Sequence, residues 1–395
     1  ADSPQAGAGP QQNTSGNYAH TVLNFKENAF TQTSPKMVEF EDGTRLALWL
    51  DASTNDLNSV KVNYSYYNGA QWTPASVVDP GTTADLSFDV YASGRTACVV
   101  WQNASNKINA GDTMAQLKDV KIKAAVFDST GVFQDAAVLN TNADVLTALP
   151  VVFGNGDNVT AAWVENTGTD WFLTEGTNAI YTSRLLEGNV WSQPFEFAGG
   201  LKAVTSLDGD VDDQGQTYLA YSMDQDNNLE TAGDQEVYVS SGQTAAISNN
   251  LNYENAAVSG DDTENGEAVV STPDEELAVI SSDTEGVNQQ AAADSTSINT
   301  VQVTSNDVCD TFVQFADHTL YWVRGGNVFY SSPVNISEQP VLAQGQELLF
   351  QTYSVAGQGD NKVVLFSAKD GLKSSIKGAF YQSTENAWGG TGCAD

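Results

Sequence analysis

The strongest constraint on this chain is a recurrence. A Gly or Asp turn is followed by a short apolar run, usually with an aromatic residue, and a polar residue closes the run. Asp42-Gly43 leads to the run 46–49 and Asp51, Ser93-Gly94 to 97–101 and Asn103, and Gly156-Asp157 to 160–163 and Glu165. Gln214-Gly215 leads to 218–221 and Asp224, and Pro273-Asp274 to 277–279 and Asp283. Asp317 leads to 320–322, with Arg324 in the acidic place, and Gly359-Asp360 leads to 363–366 and Asp370. The reference positions 49, 101, 163, 221, 279, 322 and 366 lie 43–62 residues apart. Four strands of about five or six residues plus their turns need that length. Four-stranded units repeated around an axis make a β-propeller, which grows without opening new edges.

The expected fold is therefore all-β, a propeller with seven blades, and with six as the alternative. The fifth copy lacks an aromatic residue and sits in the acidic, apolar-poor stretch 259–300, which reads equally as an insertion. Residues 1–20 are expected to be a disordered segment and 21–395 a single propeller domain, with a flexible acidic stretch near 255–300. The early run 22–25 is expected to pair with the last blade and close the ring. No sustained 3.6-residue apolar stripe appears, so long helices are not expected.

Within the units, the run 65–72, Ser-Tyr-Tyr-Asn-Gly-Ala-Gln-Trp, resembles the Asp-box repeat of sialidase-like propellers, with Tyr67 and Gln71 in place of the motif's Asp and Thr. The run 187–192 is a second degenerate copy. The resemblance implies the fold of divergent sialidase-like propellers of bacterial surface or secreted proteins. In that family an arginine cluster holds the substrate carboxylate, beside a Tyr–Glu pair and an acidic proton donor. This chain has four arginines, Arg45, Arg95, Arg184 and Arg324, and two follow hairpin turns, so sialidase activity is not expected to carry over.

Charge narrows the partners. The net charge is −34 with sixteen basic residues, which repels nucleic-acid phosphates and anionic lipid and attracts cations. Between Lys202 and Arg324 there is no Lys or Arg, against twenty-three Asp plus Glu. The segment 224–230 places oxygen ligands at Asp224, Asp226, Asn228 and Glu230, a spacing suited to calcium. Asp208, Asp210 and Asp212 alternate on an expected first strand, level with Ser87, Asp89 and Tyr91 of the second unit, so all three share one face lining the central channel. They are either cation ligands or a solvated strand face. Only His20 and His318 are present, with three cysteines, too few for a structural zinc site. Cys98 reads as a buried thiol, and Cys309 and Cys393 are candidates for a pair.

The loops after the aromatic strands are long, and elaborated loops on a rigid scaffold are where ligands are usually bound. Trp171, Phe172 and Leu173 form an apolar cluster in one of them, with Glu165 at its base. The expectation is a non-catalytic, adhesin-like module, secreted or on a bacterial cell surface, that recognises a host protein or glycan through this face. No nucleic acid and no membrane insertion are expected. The alternative is a glycoside hydrolase or lyase using the rim carboxylates Asp51, Glu165, Asp224, Asp283 and Asp370, since glycoside hydrolysis takes two carboxylates.

Overall fold

The computed structural model describes residues 35–109, 111–112, 118, 120–128, 131–243, 298–342, 348–359, 362–370 and 373–382. It also describes the strand backbones 11–13, 22–24, 257–259, 267–271, 277–283, 286–290 and 387–389. Six blades form the ring, not seven, each an antiparallel sheet whose first strand faces the axis.

Blade 1 comprises Lys36–Glu39, Arg45–Ala52, Val60–Tyr67 and Ser76–Val77, and blade 2 comprises Asp85–Ser93, Thr96–Ala104, Val120–Phe127 and Ala137–Val138. Blade 3 contains Leu146–Asn155, Asn158–Asn166 and Asn178–Leu186, with its outer edge shared by Val190–Trp191 and Phe195–Leu201. Blade 4 contains Ala203–Val211, Thr217–Asp224, Gln235–Gly242 and, after an insertion, Asn299–Gln302. Blade 5 runs Asp310–Ala316, Thr319–Arg324, Asn327–Ser331 and Gln339–Pro340, and blade 6 runs Leu348–Ala356, Val363–Asp370, Lys373–Gln382 and Ala387–Gly389.

The fifth sequence copy accounts for the missing blade. Its run falls on the strand Leu277–Asp283, which belongs to a separate four-stranded sheet inserted between the third and fourth strands of blade 4. That blade completes itself across the insertion, with Tyr238 opposite Gln302 and Ser241 opposite Asn299. The early strand also departs from expectation. Val22–Asn24 pairs with Gln11–Asn13 rather than with the last blade, whose four strands all come from the C-terminal end of the chain.

The recurrent aromatics explain the packing. They sit on second strands, where both faces meet a neighbouring blade, and Trp101, Trp163 and Trp322 are fully buried. In blades 3, 4 and 5 a third-strand aromatic covers the second-strand one: Trp163 stacks on Tyr181, Tyr221 on Tyr238 and Trp322 on Phe329. Separate apolar cores fill the wedges between blades 1 and 2, 2 and 3, 3 and 4, 4 and 5, and 5 and 6. Two-sided burial is why these strands read as continuous apolar runs rather than alternating ones.

The first strands of blades 2 to 6 each carry a register shift near their start, between Asp85 and Phe88, Ala148 and Val151, Val204 and Ser206, Thr311 and Gln314, and Leu348 and Tyr353. Bulges bend a strand and redirect its side chains. Leu149 and Phe312 occupy two of these bulges with φ of +52° and +54°, a conformation costly for large side chains.

Candidate active site in the central channel

All six first strands contribute to one cavity of about 720 Å³ on the ring axis. Its wall includes Lys36 from blade 1, Asp89 and Tyr91 from blade 2, Phe153 from blade 3, Asp208 and Asp210 from blade 4, Phe315 from blade 5 and Tyr353 from blade 6. A second cavity of about 460 Å³ opens among the long loops of blades 2 to 4 and shares Pro150, Val151 and Leu207 with the first.

Asp89 and Asp208 hold level positions on their strands, one residue beyond the residue facing the second-strand aromatic: Phe88 faces Trp101 and Leu207 faces Tyr221. Asp208 therefore matches Asp89, two residues away from the expected match with Ser87. The hairpin after Asp208 is longer, with Val211 pairing Thr217 where blade 2 pairs Ser93 with Thr96. A two-residue offset keeps the same face, and Asp208 and Asp210 of the three expected residues line the channel.

The two carboxyl groups have different surroundings. Asp89 accepts from the Lys36 ammonium at 2.5 Å through Oδ1 and from the Val152 N–H at 2.9 Å through Oδ2. Asp208 accepts from the Phe315 N–H at 2.6 Å and has no ion-pair partner of its own. Enclosure by the ring, then the Asp89 charge, pushes the Asp208 carboxyl up to about 7, and the Phe315 bond only partly offsets this. Burial and the same Asp208 charge raise the Tyr353 phenol, which donates to the Phe312 carbonyl at 2.6 Å.

At the hairpin end of the channel, Asp210 pairs with His318 Nδ1 at 2.6 Å. Asp317 and His318 form a two-residue turn with φ of +49° and +55°, the backbone a tight hairpin requires. Burial pulls the His318 imidazole down, but the Asp210 bond and charge outweigh it and leave it raised. Asp212 is not part of the cavity wall. It caps its own turn, accepting from the Gln214 and Gln216 N–H groups at 2.9 and 2.8 Å.

The long-loop cluster is only partly on display. Phe172 is 69% exposed, but Leu173 is 4% exposed and held at φ +64°, and Trp171 packs on the core between blades 3 and 4. All three line the upper cavity. Asp170 ties the loop by accepting from the Phe172 and Thr174 N–H groups. Glu165 lies beneath the loop, buried, where it accepts from Trp163 Nε1 at 2.9 Å and Asn142 Nδ2 at 2.6 Å. Its bonds are those of a strand-end brace.

The described rim carboxylates make local bonds. Asp51 accepts from the Ala52 N–H, Glu165 is engaged as above, and the side chains of Asp283 and Asp370 lie outside the described residues. Asp224 belongs to another group, with Asp226 and Asp234, whose ligand atoms lie within 4.8 Å of one another. Asn228 contributes its N–H to Asp224 and Asp226, at 2.9 and 2.8 Å, and Glu230 is exposed. Asp234 was not visible as a member because it lies four residues beyond the run 224–230 and joins the group only where the loop folds back.

None of the four arginines lines the channel. Arg45 pairs with Glu39, Arg95 with Asp42, and Arg324 bridges Asp310 and Glu338. Arg184 lies on the third strand of blade 3. The clamp implied by the sialidase resemblance is therefore not assembled. Cys98 is buried, and Cys309 is a half-buried free thiol that burial and the nearby acids push up to about 11. Cys393 lies outside the described residues.

No family model and no curated protein matches the chain. Solved structures do. An α-L-arabinofuranosidase of Fusarium graminearum is 12% identical over 91% of this chain and 96% of its own, with a TM-score of 0.49. A Trypanosoma rangeli sialidase is 10% identical over 94% of this chain and 57% of its own, at 0.42. The Aleuria aurantia lectin, solved with a fucosylated sugar, is 9% identical over 91% and 95%, at 0.41. The chain thus spans just over half of the sialidase. At these identities the likeness concerns the fold alone.

The adhesin-like expectation is corrected. The long-loop face does not offer the continuous exposed patch such a module needs, because Trp171 and Leu173 turn inward and Glu165 is buried.

Proposed function

We propose that the chain is a glycoside hydrolase that works in the central channel, with Asp208 as general acid and Asp89 as its partner carboxylate. The observation that carries this reading is the pairing itself. Two carboxyl groups from different blades face one cavity, one ion-paired to Lys36 and the other held protonated near neutral pH. Carboxyl groups driven apart by their surroundings are the usual mark of an acid and a base sharing one reaction.

In the proposed reaction the Asp208 proton moves to the glycosidic oxygen as its bond to the anomeric carbon breaks. Positive charge develops on the sugar ring opposite Asp89. Water then adds to the anomeric carbon, and its proton leaves to a carboxylate. Phe153, Phe315 and Tyr91 give the wall apolar faces against which a sugar ring can lie. The substrate is a neutral glycan, since no arginine reaches the cavity and the chain carries −34. The upper cavity beneath Trp171 and Phe172 extends the site toward the long loops.

A structural reading has its own support, because each carboxylate also accepts an N–H from the next blade and so ties the ring together. A screen of neutral oligosaccharides for new reducing ends separates the two. Asp89→Asn and Asp208→Asn are expected to lower the rate by about 100-fold or more while both variants stay folded. Variants that unfold early, with no oligosaccharide cleaved by the parent chain, would leave only the structural role.

A further inference from the structure

We propose that Asp224, Asp226 and Asp234 form a binding site for one hard divalent cation, of which calcium is the best match. The site is separate from the channel chemistry and does not depend on it.

Three carboxylates offer ligand atoms within 4.8 Å of one another. Oxygens that bind one calcium ion at about 2.3–2.6 Å are spaced no wider than about 5 Å. Closeness alone would not distinguish a site from a crowded acidic loop. The second observation is the state of two particular atoms. Asp224 is fully buried, and its Oδ2 meets no hydrogen-bond donor of the protein; Asp234 Oδ1 is likewise buried without one. Buried carboxylate oxygens are costly unless paired with a donor or a cation.

Among the described residues no ion pair reaches these carboxylates. The flanking basic residues in sequence are Lys202 and Arg324, and Arg324 is committed to Asp310 and Glu338. Around the cluster the charge is further negative, with Glu236 and Asp310 near enough to act on the Cys309 thiol. Burial, and then repulsion from Asp234 and Asp226, raises Asp224, which is the response of carboxylates crowded without a counter-charge. Asp224 Oδ1 and Asp226 Oδ1 accept the Asn228 N–H, and Asp226 Oδ2 accepts from the Thr231 hydroxyl at 3.1 Å, so the loop is braced while Asp224 Oδ2 and Asp234 Oδ1 are left for an ion. Leu229 of the same loop walls the upper cavity, and a bound cation would fix its position.

The test is calcium titration of the chelator-treated full chain, followed by calorimetry and thermal unfolding in physiological salt. Salt suppresses diffuse uptake by the −34 charge. One saturable site per chain is expected, with calcium preferred over magnesium and the unfolding temperature raised by the ion. Asp226→Asn, at an exposed position, should weaken binding by about tenfold or more, and Asp157→Asn on an exposed hairpin should not. Asp224→Asn should raise the unfolding temperature of the chelated protein and abolish the calcium response, a pair of signs that misfolding does not produce. Weak, multiple, salt-sensitive uptake that is equal in all variants would overturn the proposal.

Discussion

Asp208 and its neighbours show how much single residues carry here. The folded chain holds this carboxyl at about 7 against an ordinary value of 3.8, so the folded state keeps a proton that the unfolded state releases. Stability contributed in this way is present at low pH and falls as pH rises through that window. Asp208→Asn removes the titration. Its stability relative to the parent should therefore rise between pH 5 and pH 8, by about 2–3 kcal/mol, in chemical denaturation at the two values. A relative loss would mean that the Phe315 bond, not the charge, dominates. The residue beside it is just as constrained. A Cβ on Gly209 would lie 2.1 Å from Phe153 Cε1, so blade 3 rests an aromatic ring on the bare backbone of blade 4. Gly209→Ala should cost about 1–3 kcal/mol through overpacking, measured by thermal unfolding, whereas a tolerated substitution would show that the ring moves freely. The carboxylate pair was half legible in the sequence. Period-2 spacing put Asp208 and Asp210 on the channel face, and the alignment brought Asp89 to the same strand, but hairpin length hid the correct match. Lys36 and Tyr353 were not legible, because nothing local marks which residues of distant blades meet across an axis.

At the scale of elements, the aromatic recurrence revealed every blade because the second strand is buried on both faces and must be apolar throughout. The same signal counted one blade too many. The run 277–279 does form a strand, Leu277–Asp283, but its partners are its own insertion. The weakness of that copy, with no aromatic and many acids, was the readable sign that it belongs to no blade of the ring. The third and fourth strands of blade 4 pair with each other on either side of the insertion, from Tyr238–Gln302 to Ser241–Asn299. Replacing residues 244–297 by a short Asn-Gly turn should therefore leave the remaining β-structure and its unfolding transition in place. Circular dichroism and calorimetry of the shortened chain test this, and loss of the cooperative transition would show that the insertion supports the ring. The long loops misled for the opposite reason. Their length signals elaboration, but exposure depends on where each side chain turns, and the positive φ at Leu173 sends it into the core.

For the whole molecule, the ring brings one residue from each blade to the axis and makes a site that no blade possesses alone. Its six first strands supply an acid, an ion-paired carboxylate and aromatic walls around about 720 Å³, room for a short oligosaccharide. On the proposed reading, the charge of −34 and the absence of arginine from the channel wall favour uncharged sugars. The most direct test of this account is a crystal structure of Asp208→Asn soaked with neutral oligosaccharides that the parent chain cleaves or binds. The account predicts a sugar ring in the channel between Asp89 and Asn at position 208, with further residues of the chain reaching under Trp171. A sugar bound on the outer faces of the blades, or a channel that takes none at saturating concentration, would contradict it.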